Sequence, residues 1–104
     1  EEWGKLDRLM ADAAVRCQKA GADIIVLCTN TMHLCKDAIE KSISVPFLHI
    51  AHATAEAISL YGLTKVALLG TKFTMEKDFY KREIEENYDI KVIVPDSGDR
   101  DIIH

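Results

Sequence analysis

The sequence lacks the features that mark membrane, nucleic-acid-binding and exported proteins. Its longest apolar run covers residues 24–28, whereas a helix that crosses a bilayer needs about 20 apolar residues. Lys and Arg form no cluster and the formal net charge is −4, so we expect no phosphate-binding face. Glu1 and Glu2 stand where a signal peptide would be basic. We therefore expect no nucleic-acid partner, no membrane partner and no export signal.

Cysteine is scarce, and its pattern does not indicate pairing. The chain has Cys17, Cys28 and Cys35, and neither the odd number nor the spacing fits a disulfide framework. We expect a reducing, cytoplasmic setting, in which free thiols are either core side chains or reagents. Repeats and low-complexity stretches are also lacking, and 48% hydrophobic with 29% charged residues is typical of a globular protein. We expect one α/β domain over residues 1–104.

Helical and strand patterns alternate along the chain. Strand-like apolar runs lie at residues 24–28, 46–50, 65–69 and 91–94, and helical patterns lie at 3–20, 31–41, 51–61, 75–87 and from 99 onward. This order predicts an α/β protein with a mainly parallel sheet flanked by helices. The unbroken first run predicts a strand buried on both faces. Gly21 and Gly62 predict helix ends, and Thr74 predicts the N-cap of the helix from Met75.

Two polar turns follow predicted strands and are candidates for a binding site. They cover residues 28–33, Cys-Thr-Asn-Thr-Met-His, and residues 69–74, Leu-Gly-Thr-Lys-Phe-Thr. Ligands of open parallel sheets bind beyond the carboxyl ends of the strands. Each turn leads into a predicted helix, whose first N–H groups favour an anion. The two turns together predict a small acid as the ligand.

The first turn also carries a resemblance to a known family. Gly-Ala-Asp at residues 21–23, followed by Ile-Ile-Val-Leu-Cys-Thr-Asn-Thr-Met-His, resembles the first cysteine motif of the aspartate/glutamate racemase superfamily. The likeness is greatest to its aspartate racemase and broad-specificity amino-acid racemase branch. Residues 45–50, 68–75 and 92–96 are also similar to that branch, so the resemblance runs through nearly the whole chain.

The resemblance implies a cofactor-independent, PLP-independent racemase that uses two cysteines as acid and base. Its substrate is a small amino acid held by the carboxylate, with no metal. Carried over, Cys28 is one of the two thiols, Thr29, Asn30 and Thr31 bind the carboxylate, and Thr71 adds a contact. Family members have two similar α/β lobes, so residues 1–104 correspond to an incomplete Rossmann-like lobe plus the start of the connection to the second. The other thiol is missing, so we expect this chain alone to be inactive. A homodimer is one assembly that the sequence allows.

Plainer interpretations compete with these assignments. Cys28 fits a core position, and Cys17, on the apolar stripe of the first helix, and Cys35 are expected to be packing residues. Thr71 and Thr74 fit helix caps. His33 is expected behind the first turn, as a core residue or as support for the site. A metal site built from the cysteines and nearby histidines has no standard zinc spacing. Residues 76–86 fit a solvated helix face.

Other functions also stay open at this point. Sister activities of the superfamily are hydantoin racemisation and cysteine-dependent isomerisation or decarboxylation. A second cysteine outside these residues would support two-base racemisation, and a single thiol would favour decarboxylation. A catalytically silent fragment that at most binds small carboxylates is the alternative from outside enzymology.

Overall fold

The computed structural model describes residues 2–104, which form short parallel strands separated by helices. Unit 1 contains α1 (Glu2–Lys19), β1 (Ile25–Val26), a 3₁₀ helix (Thr31–Cys35), α2 (Lys36–Ser42) and β2 (Phe47–Leu48). Unit 2 contains α3 (Ile50–Leu60), β3 (Lys65–Ala67), α4 (Lys72–Glu76), α5 (Asp78–Asn87), β4 (Lys91–Ile93) and α6 (Ser97–Ile103). These two compact units are Glu1–His49 and Ile50–His104. A single domain over residues 1–104 stays a prediction.

Unit 1 is built around the parallel pair β1–β2. Ile25 faces Phe47 and Val26 faces Leu48, and the Ile25 N–H donates to the Pro46 carbonyl at 2.9 Å. Proline has no N–H but keeps its carbonyl, so it can begin the edge of this ladder. Buried side chains from α1, β1 and the two following helices form the core: Ala14, Ile25, Cys35 and Ile39.

Unit 2 repeats the arrangement with β3 and β4. The strands pair in parallel from Lys65 opposite Lys91 to Ala67 opposite Ile93. Helices α3 and α5 supply most of a separate core, which consists of Ala51, Ala55, Tyr80, Ile84, Ile90 and Val92. The predicted α/β class with parallel strands is therefore confirmed in both units.

Two glycines end helices as predicted. Gly21 and Gly62 have φ values of +102° and +70°, a region that only glycine enters at little cost. At the first, the Gly21 N–H donates to the Gln18 carbonyl and the Ala22 N–H donates to the Cys17 carbonyl. This pair of bonds satisfies carbonyls that the last turn of α1 would otherwise leave open.

The strands are shorter than predicted, and β1 is not covered on both faces. Ile25 is buried, but Ile24 and Val26 are 48% and 54% exposed. An unbroken apolar run predicts that every residue of the strand is buried, on either face of the sheet. It does not show which of the two faces another element covers. In unit 1 the face that carries Ile25 packs against α1, and the opposite face is open.

Helix boundaries also differ from the prediction in two places. The segment at 31–41 begins as a 3₁₀ helix and becomes α-helical only at Lys36. The predicted helix at 75–87 is two helices, α4 and α5, separated by Lys77 in extended conformation. Thr74 is not the N-cap, because Thr71, three residues earlier, caps α4. Among residues 2–104, no helix is both long and apolar enough to span a membrane.

Candidate functional site

The turn after β1 presents its polar side chains to solvent. Cys28 is exposed, as are Thr29 and Asn30, and Thr31 is half-buried at the start of the 3₁₀ helix. Asn30 occupies the N-cap position but makes no capping hydrogen bond with its side chain. The Cys28 thiol and the Asn30 amide are therefore accessible to a ligand. The core interpretation of Cys28 does not fit this exposure.

A buried histidine lies beneath this turn. His33 is 1% exposed, and its Nδ1 lies 2.7 Å from the Thr29 carbonyl oxygen. Its backbone N–H donates to the Asn30 carbonyl at 3.1 Å. The ring packs against His49 and Phe47, with centroid distances of 4.6 and 5.7 Å. The expected position of His33 behind the turn is confirmed, and His49 belongs to the same buried cluster.

Burial sets the protonation of two groups near this turn. Burial lowers the pKa of His33, although its hydrogen bonds to the Thr29 and Asn30 backbone act in the opposite direction. Burial raises the pKa of the Cys35 thiol to about 12, and the neighbouring Asp7 carboxylate adds to the rise. Cys35 is therefore a protonated packing residue, as predicted.

Cys17 departs from its prediction, because it is exposed. The residues of α1 that reach the core are Leu6, Met10 and Ala14, which follow each other at steps of four. The predicted stripe used mixed steps of three and four and included Trp3, Leu6, Met10, Ala13, Cys17 and Ala20. Both sets of residues have the spacing of one face of a helix, and only packing decides which set faces the core.

The turn after β3 is closed by its own hydroxyl groups. Thr71 Oγ1 accepts from the Thr74 N–H at 3.3 Å and lies 3.1 Å from Thr74 Oγ1. Thr74 is buried, and a Cβ at position 70 would lie 3.2 Å from its Cβ and Cγ2 atoms. Gly70 therefore permits the close approach of Thr74. The helix-cap interpretation of Thr71 is confirmed.

The backbone N–H of Lys72, the first residue of α4, also has a partner within unit 2. It donates to His104 Nδ1 at 3.0 Å, and the Lys72 ammonium pairs with Asp101 of α6. A substrate carboxylate bound at this turn, as predicted, would compete with His104 for the Lys72 N–H and with Asp101 for the Lys72 ammonium. Thr71 belongs to unit 2, whereas Cys28 and residues 29–31 belong to unit 1. A site shared by the two turns stays a prediction.

The charged face of α5 does more than face solvent. Glu83 is 18% exposed at its side chain and pairs with His52 of α3 at 2.6 Å. The Glu85 carboxylate accepts from the Val92 N–H at 2.9 Å and so holds the edge of β4. The prediction of an ordinary solvated face at residues 76–86 is wrong for Glu83, whereas Glu85 is exposed as predicted and in addition binds β4. The spacing of charged residues along one helix does not reveal which of them bind residues of another helix or strand.

Histidine and cysteine side chains do not assemble into a metal centre in the part of the chain that the structure describes. Across residues 2–104, no three His, Cys, Asp or Glu side chains are placed so that they could hold a metal ion. His33 and His49 contact each other, and His52 binds Glu83 in the other unit. The chemistry available at the first turn is that of one exposed thiol beside polar donors.

Comparison with known proteins gives matches along the whole chain. The Asp/Glu/Hydantoin racemase family model matches residues 1–104. The broad-specificity amino-acid racemase RacX of Bacillus subtilis is 32% identical over 83 residues, which make up 80% of this chain and 36% of RacX. A crystal structure of a candidate Asp/Glu racemase from Yersinia pestis is 45% identical, with a TM-score of 0.90 over 98% of this chain and 44% of that one.

A second solved structure agrees with the first. An aspartate racemase homologue from Pyrococcus horikoshii is 37% identical, with a TM-score of 0.85 over 96% of this chain and 44% of that one. The chain spans less than half the length of these relatives. Sequence and structure therefore agree with the resemblance carried by the Cys-Thr-Asn-Thr-Met-His string. The chain belongs to the Asp/Glu/Hydantoin racemase family.

Proposed function

We propose that this chain carries one half of the active site of a cofactor-independent amino-acid racemase, with Cys28 as one of its two acid/base groups. The observation that carries the proposal is the exposed Cys28 thiol, two residues after the end of β1, in a turn with exposed Thr29 and Asn30. A thiol that must exchange a proton with a substrate needs this accessibility, which the buried Cys35 lacks.

The proposed reaction inverts the α-carbon of an amino acid through two proton transfers. The Cys28 thiolate takes the α-proton, and the electron pair left on the α-carbon delocalises into the substrate carboxylate. A second thiol on the opposite face then donates a proton to that carbon, which completes inversion and leaves a thiolate there. For the reverse direction the roles exchange. No cofactor such as PLP is required, because the carboxylate accepts the charge.

Charge that develops on the carboxylate needs hydrogen-bond donors already aimed at its oxygens. In the proposal, Thr29, Asn30 and Thr31 supply these donors through backbone N–H groups and side chains. Asn30 is the strongest candidate, because its exposed side chain makes no capping bond. Thr71 is the weakest, because its hydroxyl already caps α4.

We propose that the second thiol lies outside these 104 residues. The relatives are more than twice as long as the matched segment, since it covers 36% of RacX and 44% of each solved structure. Uncovered apolar positions support the same view. Val26 and Leu48 face each other on β1–β2 and are 54% and 42% exposed. Exposed apolar patches of this kind mark surfaces that other protein segments cover.

The central test is Cys28→Ser in the full-length parent protein, with Cys17→Ser as the matched control. Both cysteines are exposed, so the two variants make the same chemical change at exposed positions. The measurements are loss of optical rotation of a single enantiomer and exchange of the α-proton in deuterated water. We expect Cys28→Ser to lower kcat by at least about 1,000-fold and Cys17→Ser to leave it unchanged. A Cys28→Ser variant with near-normal rates would refute the assignment.

The incomplete site is tested by the chain itself. Residues 1–104 alone should not invert aspartate, glutamate or other amino acids at a measurable rate, because inversion needs a donor on the face opposite Cys28. Turnover by this chain alone would refute the two-base proposal. A folded chain that still binds a small carboxylate without turnover would agree with it.

Hydantoin racemisation is a second candidate, because the matching family model includes hydantoin racemases. Turnover of a 5-substituted hydantoin in preference to the amino acid, by the full-length parent, would select it. A single thiol in the parent would instead favour a cysteine-dependent decarboxylase. The homodimer stays a prediction for the parent.

A further inference from the structure

His33 holds the backbone of the turn that carries Cys28. Its ring nitrogen Nδ1 lies 2.7 Å from the Thr29 carbonyl oxygen, and its own N–H donates to the Asn30 carbonyl at 3.1 Å. A carbonyl oxygen only accepts hydrogen bonds, so the ring must carry its proton on Nδ1. The His33 side chain therefore binds Thr29, the residue after Cys28, and the His33 backbone binds Asn30.

The surroundings keep this ring in one place. His33 is 1% exposed and is packed against the rings of His49 and Phe47. A buried ring with neighbours on more than one side has few alternative rotamers. The Nδ1–H group is therefore a fixed donor, directed at the turn from the interior of unit 1.

Fixing the Thr29 carbonyl also fixes the N–H group of Asn30. The two belong to one planar trans peptide unit, in which the C=O and N–H point in opposite directions. Because the Thr29 carbonyl points at the buried His33, the Asn30 N–H points away from it. Cys28, Thr29 and Asn30 are all exposed, so a group directed away from the buried ring is directed toward solvent.

We propose that His33 is a positioning residue for the racemisation site: by holding the Thr29 carbonyl it aims the Asn30 N–H at the substrate carboxylate. This inference rests on the proposed role of Cys28. A donor that is already oriented stabilises charge as it develops on the carboxylate, without a reorganisation cost during the reaction. His33 itself touches no reacting atom and moves no proton.

Two substitutions separate the donor from the packing. In His33→Asn, the side-chain amide nitrogen takes about the place of Nδ1 and can still donate to the Thr29 carbonyl. In His33→Leu, a side chain of similar breadth fills the cavity without a donor. In the full-length parent, we expect His33→Leu to lower kcat about 10- to 100-fold with KM changed by less than about threefold. We expect His33→Asn to stay within about threefold of the unsubstituted enzyme in kcat.

Ile39→Val is the matched packing control, because Ile39 is buried in the same core and has no donor. Equal losses of kcat in His33→Asn and His33→Leu, or an equal loss in Ile39→Val, would overturn the proposal. If Cys28→Ser is inactive and His33→Leu has normal kcat, only the role of His33 is refuted. If Cys28→Ser keeps its activity, the proposed function itself is refuted.

A measurement without substitution covers the case in which His33→Leu does not fold. Nitrogen-15 NMR of labelled protein distinguishes the two neutral tautomers of a histidine by the shifts of its ring nitrogens. We expect His33 to be neutral with its proton on Nδ1 at neutral pH. A proton on Nε2 would overturn the proposal, because Nδ1 could then donate nothing to Thr29.

Discussion

The turns after β1 and β3 contain similar residue types but are held in different ways. The first is held from beneath by His33 and leaves the side chains of Cys28 and Asn30 exposed. The second is held by itself, because Thr71 Oγ1 accepts from the Thr74 N–H. The first turn is held through the Thr29 backbone carbonyl by the buried ring of its last residue, His33, and so keeps the side chains of Cys28 and Asn30 for a ligand. A turn that caps its own helix has already used them.

The largest expected difference is between the thiols of unit 1. We expect Cys28 to react with iodoacetamide at least about 1,000-fold faster than Cys35 in the folded chain at pH 7.5. Cys28 is exposed, whereas Cys35 is buried and its pKa is raised to about 12. Mass spectrometry of the peptides measures each rate. In Asp7→Asn, alkylation of Cys35 should stay slow, because burial is the larger cause of its raised pKa. Rapid alkylation of Cys35 in the unsubstituted chain would contradict the prediction.

The second prediction compares the side chains of the two turns in the full-length parent. Asn30→Ala should lower kcat/KM by about 10- to 100-fold, because it removes a donor that is not used in capping. Thr71→Ser, which keeps the capping oxygen, should change kcat/KM by less than about threefold. Initial rates over a range of substrate concentrations measure both. Equal effects of the two substitutions would remove the functional distinction between the turns.

The third prediction concerns the histidine that holds the first turn. Because burial lowers the pKa of His33 below its usual 6.5, the unfolded chain binds its proton more readily than the folded chain does. Stability from this group is therefore present above pH 6.5 and declines as the pH falls toward its folded pKa, by no more than about 1.4 kcal/mol per pH unit.

Urea unfolding at pH 7.5, 6.5 and 5.5 measures this decline as a fall in the free energy of unfolding. His33→Asn has no titrating ring, so its free energy of unfolding should fall less over the same pH values. The same slope in both proteins would show that His33 does not contribute to the pH dependence.

The smallest expected effect is on the stability of the second turn. Thr71→Ala should lower the free energy of unfolding by about 1 kcal/mol, because the Thr74 N–H loses its acceptor. Asn30→Ala should change it by less than about 0.5 kcal/mol, since Asn30 makes no capping bond. Asp96→Ala is a matched positive control, because Asp96 caps α6 through the Asp99 N–H at 3.0 Å. A larger loss for Asn30→Ala than for Thr71→Ala would reverse the comparison.

Prediction from sequence succeeded where the signal is local. The ends of α1 and α3 follow from Gly21 and Gly62, because only glycine adopts a positive φ at little cost. The parallel α/β class follows from the order of apolar runs and helical patterns. The placement of the first turn after a strand follows from its position after residues 24–28.

Prediction failed where several local solutions are equivalent. Thr71 and Thr74 are both acceptable N-caps, and the structure uses Thr71. Cys17 and Ala14 both lie on helical rows of α1, and the core takes the row with Ala14. The open face of β1 could not be foreseen either, because an apolar run does not reveal whether a partner covers it.

The sequence by itself determined the order of the elements, the two glycine helix ends and the family, since these depend on backbone preferences and on a string of neighbouring residues. Only the tertiary structure decided which thiol is exposed, which threonine caps a helix and what His33 binds. Exposure of a thiol depends on which helices and strands pack around it. The two hydrogen bonds join residues only four and three positions apart, but they depend on the backbone conformation and burial that this packing selects. The pairing of Glu83 with His52, which lie 31 residues apart in sequence, depends in the same way on the packing of α3 against α5.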